Sequence, residues 1–329
     1  MRVVSLLASG TEIVCGLGMP DALVGRSHEC DNPEWVRKLP VCTRPAFDVE
    51  VSSGEIDAEV RRRLKTGEPL YQVDAELIRQ LAPDLLITQE HCEVCAVTPG
   101  DIARTGCENL APNVIALSAG TVRGICDGIL AVGEAMKNKA AASALVEKME
   151  RRIEKVSADV QHKPPPTVCM LEWTDPIFSM GNWGPELVEA ANGKLLLGEK
   201  GQHSRAISWN AVREADPDFL IIAPCGYDLK RSLGEKSILE KQPGWFELKA
   251  VQNETVVFAD GNKFFNRSGT TIVETVEIIA EILHGWKAPT GWEEKAWRRY
   301  APVPELGVAL NARKRGAGGI QGAVLNGSR

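Results

Sequence analysis

LIRQLAPDLLITQEHC at residues 77–92 and AVREADPDFLIIAPCG at residues 211–226 decide the fold of this chain. Each reads as the end of a helix, then Pro-Asp, then a short apolar run, then a polar turn holding a cysteine. Proline stops the helix, aspartate turns the chain, and a run without alternation is the pattern of a parallel strand buried on both faces. Finding this unit once in each half of the chain predicts two similar α/β lobes. In open parallel sheets ligands bind beyond the carboxyl ends of the strands. Those ends are Gln89–Cys95 and Pro224–Tyr227.

Strand-like and helical stretches alternate outward from both units. Val3–Leu7, Leu23–Arg26 and Val114–Leu117 read as strands before the midpoint, with Asp74 capping a helix over Asp74–Leu81. Thr167–Glu172 and Val256–Ala259 read as strands after it, with helices at Pro185–Ala191, Trp209–Ala215 and Ser268–Leu283. Between the halves, Ile125, Ile129, Val132, Met136, Leu145, Met149 and Ile153 recur at helical spacing. This is one long helix or two in series, ended by Lys163-Pro164-Pro165-Pro166. The expected organisation is an amino-terminal lobe over 1–120, an interlobe helix over 121–163, a carboxy-terminal lobe over 164–300, and a poorly ordered tail over 301–329 rich in Gly and Ala.

Composition narrows the function classes. The 329 residues are 44% apolar and 25% charged, ordinary for a globular protein long enough for two cores. A net charge of -6 gives nucleic-acid binding no support, and the absence of a run of about 18 apolar residues argues against membrane insertion. Met1-Arg2 leads directly into a short β-branched run without the outline of a secretory signal, which sets an expectation of a cytoplasmic protein. The nine cysteines are odd in number and irregular in spacing, unlike a disulfide framework.

The chemistry-bearing residues fall at predicted strand ends. His28-Glu29-Cys30-Asp31 and Glu90-His91-Cys92-Glu93-Val94-Cys95 both follow strands of the first lobe. Thiolate and imidazole suit zinc or another transition metal, so His28, Cys30, His91, Cys92, Cys95 and Cys225 are the candidate metal ligands. A Cys-x-x-Cys pair also suits thiol redox chemistry, and packed or surface thiols are the plain alternative. Trp173, Phe178, Trp183 and Phe265 are candidate ligand-contacting aromatics, alongside Trp209 and the cations Arg205 and Arg267. Ser9-Gly10-Thr11-Glu12 reads as a helix N-cap. No nucleophile elbow or His-Glu-x-x-His motif marks a hydrolase, and whether the chain is an enzyme stays open.

RVVSLLASGTEIVCGLG (2–18), LVGRSHECDNP (23–33), the Pro-Asp strand at 83–88, DPIFSMGNWGPELVEAANG (175–193) and FNRSGTTIVETVEIIAEIL (265–283) resemble the cobalamin-type solute-binding proteins, the group that also binds siderophores and haem. The resemblance implies a class III solute-binding-protein fold: two Rossmann-like lobes joined by a long rigid helix, with the ligand in the cleft between them. It implies a metal ion, a metal complex or a corrinoid as ligand, and docking onto a membrane permease, which the missing export signal argues against. The relatives line the first lobe with aromatics where this chain carries Glu29, Arg44 and Gln89, so weaker corrinoid binding is expected. The alternative reading is a metal- or thiol-dependent enzyme with the Cys/His cluster as its active site.

Overall fold

The computed structural model describes residues 1–301 except Glu93, Cys95, 106–109 and 289–290, and the elements below are those of the described residues. Of the tail expected over 301–329, residues 302–329 lie outside them. The first lobe contains β1 (Val3–Ser5), α1 (Ala8–Gly16), β2 (Leu23–Arg26), β3 (Thr43–Pro45), α2 (Ser53–Thr66), β4 (Tyr71–Val73), α3 (Ala75–Leu81), β5 (Leu85–Gln89), α4 (Pro99–Arg104) and β6 (Asn113–Leu117). Its parallel sheet has the order β2-β1-β5-β6, and β3 and β4 pair antiparallel as a separate ribbon. Helices α5 (Val122–Ala135) and α6 (Lys139–Val160) follow.

The second lobe holds β7 (Thr167–Thr174), β8 (Ile177–Ser179), α7 (Gly184–Ala190), β9 (Lys194–Leu196), β10 (Arg205–Ala206), α8 (Trp209–Ala215), β11 (Phe219–Ile222), α9 (Leu229–Gly234), α10 (Lys236–Glu240), α11 (Lys249–Gln252), β12 (Val256–Ala259), α12 (Ile272–His284) and β13 (Trp297–Arg299). Its sheet has the order β10-β8-β7-β11-β12-β13, with β9 also paired to β7. The sheet is mixed: β7, β9, β11 and β12 run parallel, while β8, β10 and β13 join antiparallel.

The repeated Pro-Asp unit performs the same construction twice. Helices α3 and α8 end on residues in the left-handed region, Ala82 at φ 42° and Asp216 at φ 37°. Each aspartate then ties its strand to the first strand of its lobe. Asp84 accepts the Arg2 N–H at 2.7 Å, and Asp218 accepts the Thr167 N–H at 2.8 Å and its hydroxyl at 2.7 Å. The aspartate therefore sets strand pairing as well as turning the chain.

The interlobe segment is two helices in series, one of the two forms its periodicity allows. Lys137 at φ 56° breaks the helix, and Asn138 donates to the Leu17 carbonyl at 3.2 Å. Gly133 permits the close crossing, since a Cβ there would lie 2.3 Å from that of Ala142. Helix α6 then spans both lobes. Leu145 packs on Gly16 of α1, while Arg152 pairs with Glu274 at 2.7 Å and Glu277 at 2.7 Å on α12. One apolar core runs without interruption from Val3 and Ile13, through Ile129 and Val156, to Val168, Phe265 and Ile279. A shared core of this kind resists shear between the lobes, because interiors pack at crystal-like density.

Candidate functional site

The lobes are clasped by a buried charge. Arg267, on the loop before α12, donates to Glu12 of α1 at 2.8 Å, to Asp31 after β2 at 2.6 Å, and to Asn262 at 3.2 Å. The Arg267 and Glu12 side chains are only 5% and 2% exposed, so neither charge has water to fall back on. Burial works against the Arg267 charge, but Glu12 and Asp31 outweigh it and hold the guanidinium charged. Asn32 at 2.9 Å and Thr271 at 3.3 Å complete the bonds to Glu12. This corrects the capping role expected for Ser9-Gly10-Thr11-Glu12. Helix α1 already begins at Ala8 with Leu7 as its N-cap, so these residues lie inside it and form its interlobe face.

A second meeting point lies where β5 and β7 end. Gly181 approaches so closely that a Cβ would sit 2.3 Å from the Gln202 carbonyl, and Asn182, at φ 52°, donates its N–H to that carbonyl at 2.6 Å. The two loops knitted together here present Asn182 and His203 to the first lobe. His91 Nε2 meets Asn182 Oδ1 at 2.8 Å, and its ring stacks on His203 with centroids 4.4 Å apart. This bond engages Nε2 and leaves Nδ1 outside it. Burial lowers the His91 pKa, partly opposed by the Asn182 bond, which favours the neutral imidazole. Glu172 interrupts the apolar strand β7 beside this pair. Burial raises its carboxyl to about 7, the Ser204 hydroxyl bond pulls it back, and Cys92 of the first lobe pushes it up again. Cys225, after β11, donates its N–H to the Glu172 carbonyl at 2.9 Å.

A family model described as "Periplasmic binding protein" matches residues 3–262. The chain belongs to this family. The chain is 24% identical over 288 residues to "Uncharacterized ABC transporter substrate-binding lipoprotein YvrC" of Bacillus subtilis (strain 168), across 86% of this chain and 80% of that one. Among solved structures it resembles a periplasmic heme binding protein from Pseudomonas aeruginosa, with TM-score 0.68 and 17% identity over 92% of this chain and 98% of the other. It also resembles the periplasmic vitamin B12 binding protein BtuF of Vibrio cholerae, with TM-score 0.61 and 19% identity over 86% and 96%. These likenesses establish the two-lobed class III fold. They also overturn the expectation of a cytoplasmic protein, since the relatives are a lipoprotein and periplasmic proteins by their own descriptions. No helix among the described residues is long and apolar enough to cross a membrane.

Two of the candidate metal ligands, Cys30 and His28, are taken up by packing within the first lobe. Cys30 is 1% exposed, accepts the Thr11 hydroxyl at 3.0 Å, and has its thiol pushed by burial up to about 12. It is a core residue, because forming its thiolate would place a charge in the interior. The His28 ring meets the Thr43 hydroxyl at 2.8 Å and packs against Tyr71, with burial and then Arg26 lowering its pKa to about 4. Cys95 lies outside the described residues. Among the described residues no group of three or more His, Cys, Asp or Glu is arranged to hold a metal ion. The described donors therefore do not by themselves make up a zinc centre, which takes four ligands in a structural site and three in a catalytic one.

The other candidates divide between cleft, surface and core. Trp173 lies between the lobes, its indole N–H shared by the carbonyls of Ser53 at 3.2 Å and Asp175 at 3.0 Å. Trp183 is buried beneath the cleft 6.5 Å from His91 and donates to the Phe265 carbonyl at 3.3 Å. Phe265 and Trp209 correct the expectation of cleft aromatics. Phe265 is wholly buried in the shared core, and Trp209 packs on Trp245 at 5.9 Å in the core behind the second sheet. Phe178 is half-buried on β8 between Trp173 and Ala206, and Arg205 is exposed beside Glu199 at 3.5 Å. Gln89 is a brace: its amide N–H groups donate to the Cys92 carbonyl and, at 3.2 Å, to that of Ala96, while its oxygen accepts the Cys92 N–H at 3.2 Å. Arg44 is exposed and donates to Gln72 at 2.6 Å. Glu29, half-buried, is raised to about 7 by burial, with Arg267 opposing and Asp31 adding.

An open groove of about 820 Å³ runs between the lobes past this clasp, lined by Asp31, Arg37 and Glu50 on one side and Arg231, Asp260 and Lys263 on the other. Its walls are charged where a corrin ring needs apolar contact. Glu172, His203 and Arg231 are absent from the sequence-derived site, while Glu12, Asp31, Asn182 and Tyr227 stand in stretches quoted for it without a role of their own. Only Glu172 leaves a local signal, as a carboxylate interrupting the strand TVCMLEWT.

Proposed function

We propose that this solute-binding protein carries a metal complex between its lobes, of the haem, corrinoid or iron-chelate kind, with His91 offering its Nδ1 to the metal's open position. The observation that supports this reading is the pair of imidazoles, His91 and His203, brought together from opposite lobes at 4.4 Å. A bare ion needs three or four protein donors. A metal complex arrives with most of its ligands and requires only one or two axial ones, a neutral imidazole being the common choice. Ligand delivery to a membrane permease belongs to the same reading. The enzyme alternative draws no support from the relatives above, which are binding proteins by description.

Haemin, cobalamin and a ferric chelate titrated separately into the protein test this by absorption spectroscopy. One of them is expected to bind with a shifted metal-centred band, and His91→Ala to lose that shift while keeping its fold. Stoichiometric retention of zinc through dialysis, or a His91→Ala spectrum identical to wild type, would defeat the reading.

A further inference from the structure

Between β3 and β4 the chain makes an excursion out of the first lobe. Pro45 pairs with Tyr71, and Ala46 donates its N–H to Leu70 at 2.9 Å, so the two ends of the excursion are neighbours. It carries α2, in which Ser53 alone is buried. Its leading end reaches across to the second lobe. Ser53 donates to Glu235 at 2.7 Å, and the Trp173 indole N–H donates to the Ser53 carbonyl. Arg231 donates to the carbonyls of Val49 and, at 3.1 Å, Val51. The guanidinium lies 3.9 Å over the Tyr227 ring, which meets Trp173 edge-on at 5.2 Å.

Arg231 has poor partners for a charge. Its hydrogen bonds go to neutral carbonyls, and the Glu50 carboxylate stands off at 3.8 Å, 81% exposed. A carboxylate would take two parallel N–H groups of the guanidinium in bonds about twice as strong. Space for one adjoins, since Arg231 and Glu50 both line the interlobe groove. The strap itself is held by a few polar bonds and brings no apolar side chain from α2 into a core.

We propose that Trp173, Tyr227 and Arg231 form a recognition surface for a flat ring bearing a carboxylate, and that the strap Val49–Ser53 occupies this surface in the ligand-free protein and is displaced on binding. The ring packs on the two aromatic side chains, and its carboxylate replaces the Val49 and Val51 carbonyls on Arg231. This deepens the metal-complex reading but assigns different residues, so the two fail separately.

The test compares the full chain with a variant in which residues 47–69 are replaced by Asn-Gly, the two-residue turn suited to joining Ala46 and Leu70. The probes are haemin and its dimethyl ester, which share a ring but differ in carboxylates. Haemin is expected to speed amide exchange over residues 51–56 of the full chain, and to bind the shortened chain roughly tenfold tighter. Arg231→Gln in the shortened chain should weaken haemin roughly tenfold and leave the ester unchanged. Haemin binding with unchanged exchange over 51–56, or an equal effect of Arg231→Gln on both probes, overturns the proposal while leaving the His91 reading intact. Failure of haemin to bind either chain overturns the proposal, whereas cobalamin or chelate binding dependent on His91 would still uphold the other. If the shortened chain does not fold, Arg231→Gln in the full chain must itself raise exchange over 51–56 without ligand, and no rise overturns the proposal.

Discussion

Replacing Arg267 with methionine removes the clasp between the lobes at near-constant volume. The substitution deletes ion pairs to Glu12 at 2.8 Å and Asp31 at 2.6 Å. Asp31 is 22% exposed and keeps Asn262 at 2.9 Å, so its loss is small. Glu12 is 2% exposed and is left with only Asn32 and Thr271 as partners. Breaking a buried pair from one side costs about 3–5 kcal/mol, most of it the stranded charge. Removing both charges in Glu12→Gln/Arg267→Met should therefore be milder, at about 1–2 kcal/mol, a coupling of at least 1 kcal/mol. Burial pushes Glu12 up even with Arg267 present, so the single variant's deficit should narrow as pH falls and the carboxyl takes up a proton. Urea unfolding at pH 7 and pH 5 measures all of this through the midpoint. A double variant as unstable as the sum of the singles would show that Glu12 and Arg267 do not depend on each other, and the clasp argument would fall.

Glu172→Gln should act through pH. Burial raises the native carboxyl from the usual 4.5 to about 7, so the native state binds the extra proton and wild-type stability is lost as pH rises through that window. The variant escapes this loss, and its advantage should grow from near zero at pH 4.5 to about 3 kcal/mol at pH 8; denaturant melts showing a pH-independent difference would contradict it. Trp209→Ala should cost about 3–5 kcal/mol of stability through the emptied core. The folded variant should keep wild-type affinity for the bound complex, and a calorimetric loss of affinity would place Trp209 at the ligand after all.

What the sequence determined by itself was local. Helix ends, buried parallel strands and their two-fold recurrence are written in the spacing of proline, aspartate and apolar residues, and neighbouring residues suffice to specify them. The strand ends at residues 89–95 and 224–227 could thus be named before their surroundings were known. Hydrophobicity, however, does not say which face of a sheet a tryptophan joins. Trp173, within β7, reaches the cleft, whereas Trp209, opening α8, packs in the rear core of the same lobe. Only the tertiary structure decided the charged and polar pairings, because they join residues far apart: Arg267 with Glu12 across 255 positions, Ser53 with Glu235 across 182, and His91 with Asn182 across 91. A buried charge or an oriented imidazole depends on the surface brought against it, and that surface exists only once the two lobes have met.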